Sequence, residues 1–176
     1  MNYKFKILII LFSILVGLSI LTCDKPSEPK VETPPQKLKI YINEFLASNK
    51  NVLADEAGQY DDWVEIYNDE DTTVKLQGYY LTDALNNPTK WTFPNVNIPP
   101  KGYLLIWCDN DTSQGILHAN FKLFASGEQL GIFSPEKKII DTLTYGEQKS
   151  DTSYGRFPDG SSNWKFMLPT PGSKNR

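Results

Sequence analysis

Asp61-Asp62-Trp63-Val64-Glu65-Ile66-Tyr67-Asn68 reads as an acidic loop that runs directly into a β-strand. Val64 and Ile66 share one parity and Trp63, Glu65 and Tyr67 the other, so a pleated ribbon sends the two sets to opposite faces. An aliphatic face turned inward and an acidic-aromatic face turned outward predict a half-buried sandwich strand. Asp61, Asp62, Trp63, Glu65 and Tyr67 then form a candidate binding surface.

Strand signals continue on both sides of it. Leu38, Ile40 and Ile42 alternate with Lys39 and Tyr41, giving a strand expected to end at Asn43-Glu44-Phe45. After the acidic turn Asn68 to Asp71 come Val74 and Leu76, a bulge or bend at Gly78, and Tyr79-Tyr80-Leu81. Ile98-Pro99-Pro100-Lys101-Gly102 predicts a tight turn, with proline fixing φ and glycine free to take φ > 0. Tyr103 to Cys108 is the most apolar run after residue 22 and predicts a central strand buried on both faces. Phe121 to Leu123, Glu128 to Phe133, Ile139 to Tyr145 and Trp164 to Phe166 complete about nine signals. Turns recur every 8 to 12 residues or so and no amphipathic helix intervenes, which is the pattern of an all-β sandwich.

Seven segments stand in the order of one known family: Ile42 to Phe45, Asp62 to Asn68, Trp91 to Pro94, Ile98 to Tyr103, His118 to Leu123, Gly127-Glu128 and Gly155 to Gly160. Over residues 38–172 the chain resembles the lamin tail domain. The resemblance implies an immunoglobulin-like β-sandwich with a docking role, of the kind carried by exported, lipid-anchored bacterial members, and it supplies no catalytic residues. The chain has neither a heptad rod nor a basic nuclear-localisation run, so the nuclear roles of lamins are not implied.

The chain of 176 residues is 40% hydrophobic and 12% aromatic, which suits a folded, strand-rich domain. Lys4 and Lys6 precede an apolar run from Ile7 to Leu21, so residues 1–22 are expected to be a secretory signal. The alternative is an uncleaved membrane anchor, since the run is only a little short of the ~20 residues of a spanning helix. Ile20-Leu21-Thr22-Cys23 resembles a lipobox, although Thr22 and Leu21 are bulkier than usual, and makes Cys23 the expected lipid attachment site on the periplasmic face or cell surface of a bacterial membrane. Residues 23–37, with four prolines and one aliphatic side chain, form an expected disordered tether that reaches ~40 Å when extended. Residues 173–176 are a tail. Without Lys4 and Lys6, 16 basic residues face 21 acidic ones, a poor balance for binding nucleic acid.

His118 is the sole histidine, which disfavours a hydrolytic triad, and one histidine with one non-lipidated cysteine is a meagre zinc set. Cys108 reads as a small buried hydrophobe. Asp55, Asp61, Asp62, Asp109 and Asp111 are calcium candidates without EF-hand spacing, against the simpler reading of solvated loop carboxylates, and no other cofactor is expected. Tyr60, Trp63, Tyr79, Tyr80 and Trp91 could present an aromatic platform for glycan or protein, although core packing is the simpler role for each. Lys165, Lys174 and Arg176 make a small basic group beside Trp164. The expected function is a non-enzymatic, membrane-anchored module that holds a protein, glycan or wall polymer at the cell envelope. The rivals are a self-assembly unit, a calcium- or polyanion-binding domain, and a carboxylate-based hydrolase.

Overall fold

The computed structural model describes residues 37–176. The expected signal, Cys23 and nearly all of the tether lie outside them. Among the described residues there is no helix. The strands are β1 (Ile40–Leu46), β2 (Trp63–Asn68), β3 (Val74–Lys75), β4 (Tyr80–Thr82), β5 (Trp91–Thr92), β6 (Asn97–Ile98), β7 (Tyr103–Cys108), β8 (His118–Ala119), β9 (Glu128–Phe133), β10 (Ile139–Tyr145), β11 (Ser153–Arg156) and β12 (Trp164–Met167).

A six-stranded sheet in the order β12-β11-β1-β2-β7-β8 faces a four-stranded sheet, β10-β9-β4-β5, and β3 pairs with β6. Ile40, Ile42, Phe45, Val64, Ile66 and Ile106 from the first sheet meet Leu81, Leu130, Ile132 and Tyr145 from the second in one core. All pairs are antiparallel except β7 with β8. The architecture is the expected all-β, immunoglobulin-like sandwich.

Bulging sets the faces of β1. The register with β2 shifts between Ile42 and Glu44, so Ile42 and Phe45 both point into the core while Glu44 lies opposite Glu65 on the outer face. Without that extra residue a period of two would place Glu44 beside Ile42 in the apolar interior. Arg156 joins the two layers: its Nη2 donates to both carboxylate oxygens of Asp141 on β10, at 3.0 and 2.9 Å, and its Nε to the Ile42 carbonyl.

Four local expectations need correction. β2 is buried along its whole length, not on one face. β7 is fully buried only from Ile106 to Cys108, because its outer neighbour β8 is two residues long. Phe121 to Leu123 forms no strand; Lys122 makes a single bridge with Asp109. In the Pro99 to Gly102 turn the left-handed residue is Lys101, at φ 53°, and Gly102 is needed for space instead, since a Cβ there would sit 2.6 Å from Pro99 Cγ.

Candidate functional site

The outer face of β2 is covered. Trp63 packs with Leu46 and Trp107 under Val52 and Leu53 of the loop between β1 and β2. Glu65 accepts from the Gly172 amide at 2.5 Å, and Glu44 beside it accepts from the Thr170 amide at 3.0 Å and hydroxyl at 2.8 Å. Tyr67 stacks on Tyr103 at 5.1 Å, and the Tyr103 hydroxyl donates to Asp159. Asn175 Nδ2 donates to the Asn43 and Arg156 carbonyls and fastens the tail. The loop and the C-terminal segment therefore lie over this face, and Trp63, Glu65 and Tyr67 are not available as a binding surface. Their burial corrects the expectation, and the cause is coverage by distant parts of the chain.

Burial also decides their chemistry. Glu65 is pushed up to about 8, chiefly by loss of solvent and further by the Glu44 carboxylate, and Glu44 is shifted up for the same first reason. Asp62 is pushed up to about 6 by burial while one of its oxygens accepts from the Asn49 amide. These groups hold the fold together through their contacts with the C-terminal segment and the Asn49 turn.

The calcium candidates separate. Asp62 caps the Asn49 turn, and Asp111 accepts from the Ser113 amide and hydroxyl within its own turn. Asp55 and Asp109 instead converge on His118: one ligating atom from each lies within 4.8 Å of the others. Asp61 lies close enough to raise its own pKa, first by burial and then by the charges of Asp109 and Asp55. His118 Nδ1 is 2.5 Å from Asp109 Oδ2, and its Nε2 is 3.5 Å from the exposed Glu56 carboxylate. Asp55 and His118 are 63 residues apart, and no sequence spacing announces the meeting.

Of the aromatic candidates, Trp63 and Trp91 are buried, Tyr79 and Tyr80 half-buried, and Tyr60 exposed. Cys108 is a free thiol in the core, its pKa raised well above the usual thiol value by burial.

Exposed apolar side chains lie elsewhere, on and beside β12 at the margin of the six-stranded sheet. Leu168 is 84% exposed, Phe157 42% and Phe166 39%. Lys165 Nζ sits 3.3 Å from the centre of the Phe157 ring and Lys149 Nζ 4.8 Å from that of Phe166. These side chains line two shallow hollows, Phe166 and Leu168 in one along Lys165 to Thr170 and Phe157 in another with Lys174, and Arg176 borders both. No acidic side chain lines either hollow. Sequence reading found Lys165, Lys174 and Arg176 but missed Phe157, Phe166, Leu168 and Lys149, because alternation along β12 does not say that the strand is an edge.

No curated protein and no solved structure matches the chain. The family model described as Lamin Tail Domain matches residues 33–147. The match ends before β11, yet β11 pairs with β1 and continues the same sheet. With most of the sandwich inside that match, and six of the seven sequence segments in order along it, the chain belongs to the lamin tail domain family.

Proposed function

We propose that this lamin tail domain is a membrane-anchored docking module that binds an acidic, apolar-containing segment of a partner protein along β12. The fold is that of a binding or structural module, and the observation that carries the reading is the exposure of Phe157, Phe166 and Leu168 at this edge, with a lysine ammonium over each Phe ring. Apolar side chains left this exposed on an edge strand favour contact with another chain. Lys149, Lys165, Lys174 and Arg176 around them, with no acidic side chain lining the hollows, select a partner of opposite charge. Lipid attachment at Cys23 and the proline-rich tether would hold this surface near a bacterial membrane.

Panning full-length protein against a displayed library of random 12-residue peptides tests the binding mode. Enriched peptides should combine Asp or Glu with apolar residues, weaken as salt rises, and lose at least about tenfold in affinity against Phe166→Ser/Leu168→Ser. Enrichment without acidic bias, or binding indifferent to the double variant, would overturn it, as would wall glycan fragments binding in place of peptides. Mass that grows with concentration in light scattering and falls in the double variant would assign this edge to self-assembly. Mass spectrometry of the membrane-derived protein tests the anchor: a diacylglycerol-bearing peptide beginning at Cys23 supports it, and an unmodified one sinks it.

A further inference from the structure

We propose that Asp55, Asp109 and His118 form a binding site for a divalent transition-metal ion, with zinc the best fit, which pins the loop between β1 and β2 to the β7–β8 end of the sheet. Asp55 comes from that loop, Asp109 directly follows β7 and His118 opens β8, and all three are buried. Their ligating atoms lie within 4.8 Å of one another, so a small adjustment closes them on one ion.

The second observation is a pair of carboxylate oxygens with nothing to bind. Asp55 is only 9% exposed; its Oδ1 accepts from the Gln59 amide at 2.7 Å, while its Oδ2 is buried without a donor. Oδ2 of the neighbouring Asp61 is buried and without a donor as well. An oxygen stripped of water with no hydrogen bond in return is costly, and a second unpartnered carboxylate beside it compounds the cost. Asp55, Asp61 and Asp109 crowd together, with Glu56 at the rim, and a cation answers both the missing partners and the excess negative charge.

The surroundings hold the ligands in place as metal sites require. Asp109 Oδ1 accepts from the Asp111 amide at 2.8 Å, so its other oxygen is aimed at the ring. Gly115 leaves room for that ring, since a Cβ there would lie 3.0 Å from His118 Cδ2. The ring has two usable nitrogens. An ion on Nδ1 displaces the proton now between that atom and Asp109; an ion on Nε2 leaves that hydrogen bond in place and draws in Glu56. Asp55 and His118 are ligands in both arrangements.

Donor chemistry selects the ion. Calcium takes six to eight oxygens, whereas one imidazole nitrogen with two or three carboxylates suits zinc at four-coordination, water completing the set.

The test uses the full-length protein, treated with EDTA, dialysed, and titrated in calorimetry with zinc chloride alone and in parallel with calcium chloride alone, with thermal melting at each point. One equivalent of zinc should bind and raise the melting temperature, and calcium at the same concentrations should do neither. Asp55→Asn keeps an oxygen for the Gln59 amide, so it should fold, melt cooperatively without metal and bind zinc at least about tenfold more weakly. His118→Gln should show the same loss, and if it fails to fold Asp55→Asn decides alone. Failure of the wild-type protein to bind zinc would overturn the proposal. So would zinc binding that survives Asp55→Asn unchanged, which would place the ion at Cys23 or on surface carboxylates, or calcium that stabilises as well as zinc.

Discussion

The six-stranded sheet is buried on both sides, but by different means. Its inner face carries Ile40, Ile42, Phe45, Val64, Ile66 and Ile106 against the second sheet, a contact of apolar surfaces that needs no particular partner atom for each group. Its outer face carries Trp63 and Leu46 at one end, Glu44 and Glu65 in the middle and Tyr67 at the other, covered by the loop before β2 and by residues 170–175. There the polar groups depend on specific partners, and Glu65 Oε1 and Trp63 Nε1 are left buried without one. Apolar burial spreads its gain over many neighbours, whereas on the outer face each missing hydrogen bond carries its own cost of about 1–3 kcal/mol.

The largest expected effect lies on the inner face. Ile66 is fully buried at the centre of β2, so Ile66→Ala loses transfer free energy and leaves a cavity, together about 2–5 kcal/mol. Chemical denaturation at a single pH checks this. The loss should be nearly the same at pH 5 and pH 8, because the cavity is lined by apolar side chains that carry no charge at either pH.

The outer face should answer to pH. In the unfolded chain Glu65 titrates near the ordinary ~4.3, and in the folded protein near 8 because it is buried. Between these values the native state binds a proton that the unfolded state does not, so stability falls as pH rises through this window. The contribution is fully present below about pH 4.3 and lost by about pH 8; Glu44, raised in the same direction, adds to the slope. Glu65→Gln keeps the shape and an oxygen for the Gly172 amide while removing the charge. It should match the wild type near pH 4.5, exceed it by about 3 kcal/mol at about pH 6.5, and exceed it further at pH 8. Urea midpoints at these pH values decide; a variant no more stable than wild type at pH 8 would mean that Glu65 is not held neutral by burial.

The same contrast explains what could be read from the sequence. Val64 and Ile66 were legible as core because their alternation is local, and the seven family segments carried the sandwich. Glu65 was misread as exposed because its cover comes from Gly172, 107 residues away, and nothing near position 65 encodes that contact. The bulge at Asn43 was equally hidden: the run Ile40, Ile42, Glu44 alternates cleanly, and only the pairing with β2 shows that the parity changes. The candidate metal ligands fared the same way. Asp55 and Asp109 were singled out as acidic residues in loops, but the third member, His118, and the two orphaned oxygens exist only after the loop closes. Local chemistry was visible, and the partners that decide its role were not.

Thr170 gives the smallest and most discriminating test of the two kinds of burial. Its amide and hydroxyl both reach Glu44, and the hydroxyl also lies 3.0 Å from Asn175 Oδ1. Thr170→Val keeps the branched shape and the amide but removes the hydroxyl, and should cost about 1 kcal/mol. Combined with Ile66→Ala, which lies on the other face, the losses should add to within about 0.5 kcal/mol; combined with Glu44→Gln, they should not, since the two residues share a hydrogen bond. Denaturant titration of the three single and two double variants supplies both cycles. If Thr170→Val proved as costly as Ile66→Ala, the C-terminal segment would be acting as a third layer of the core and the outer face would obey the same rule as the inner one. A loss near 1 kcal/mol with the expected coupling pattern means instead that the tail is a polar clasp, held by a few specific bonds over a sheet that the inner face already stabilises.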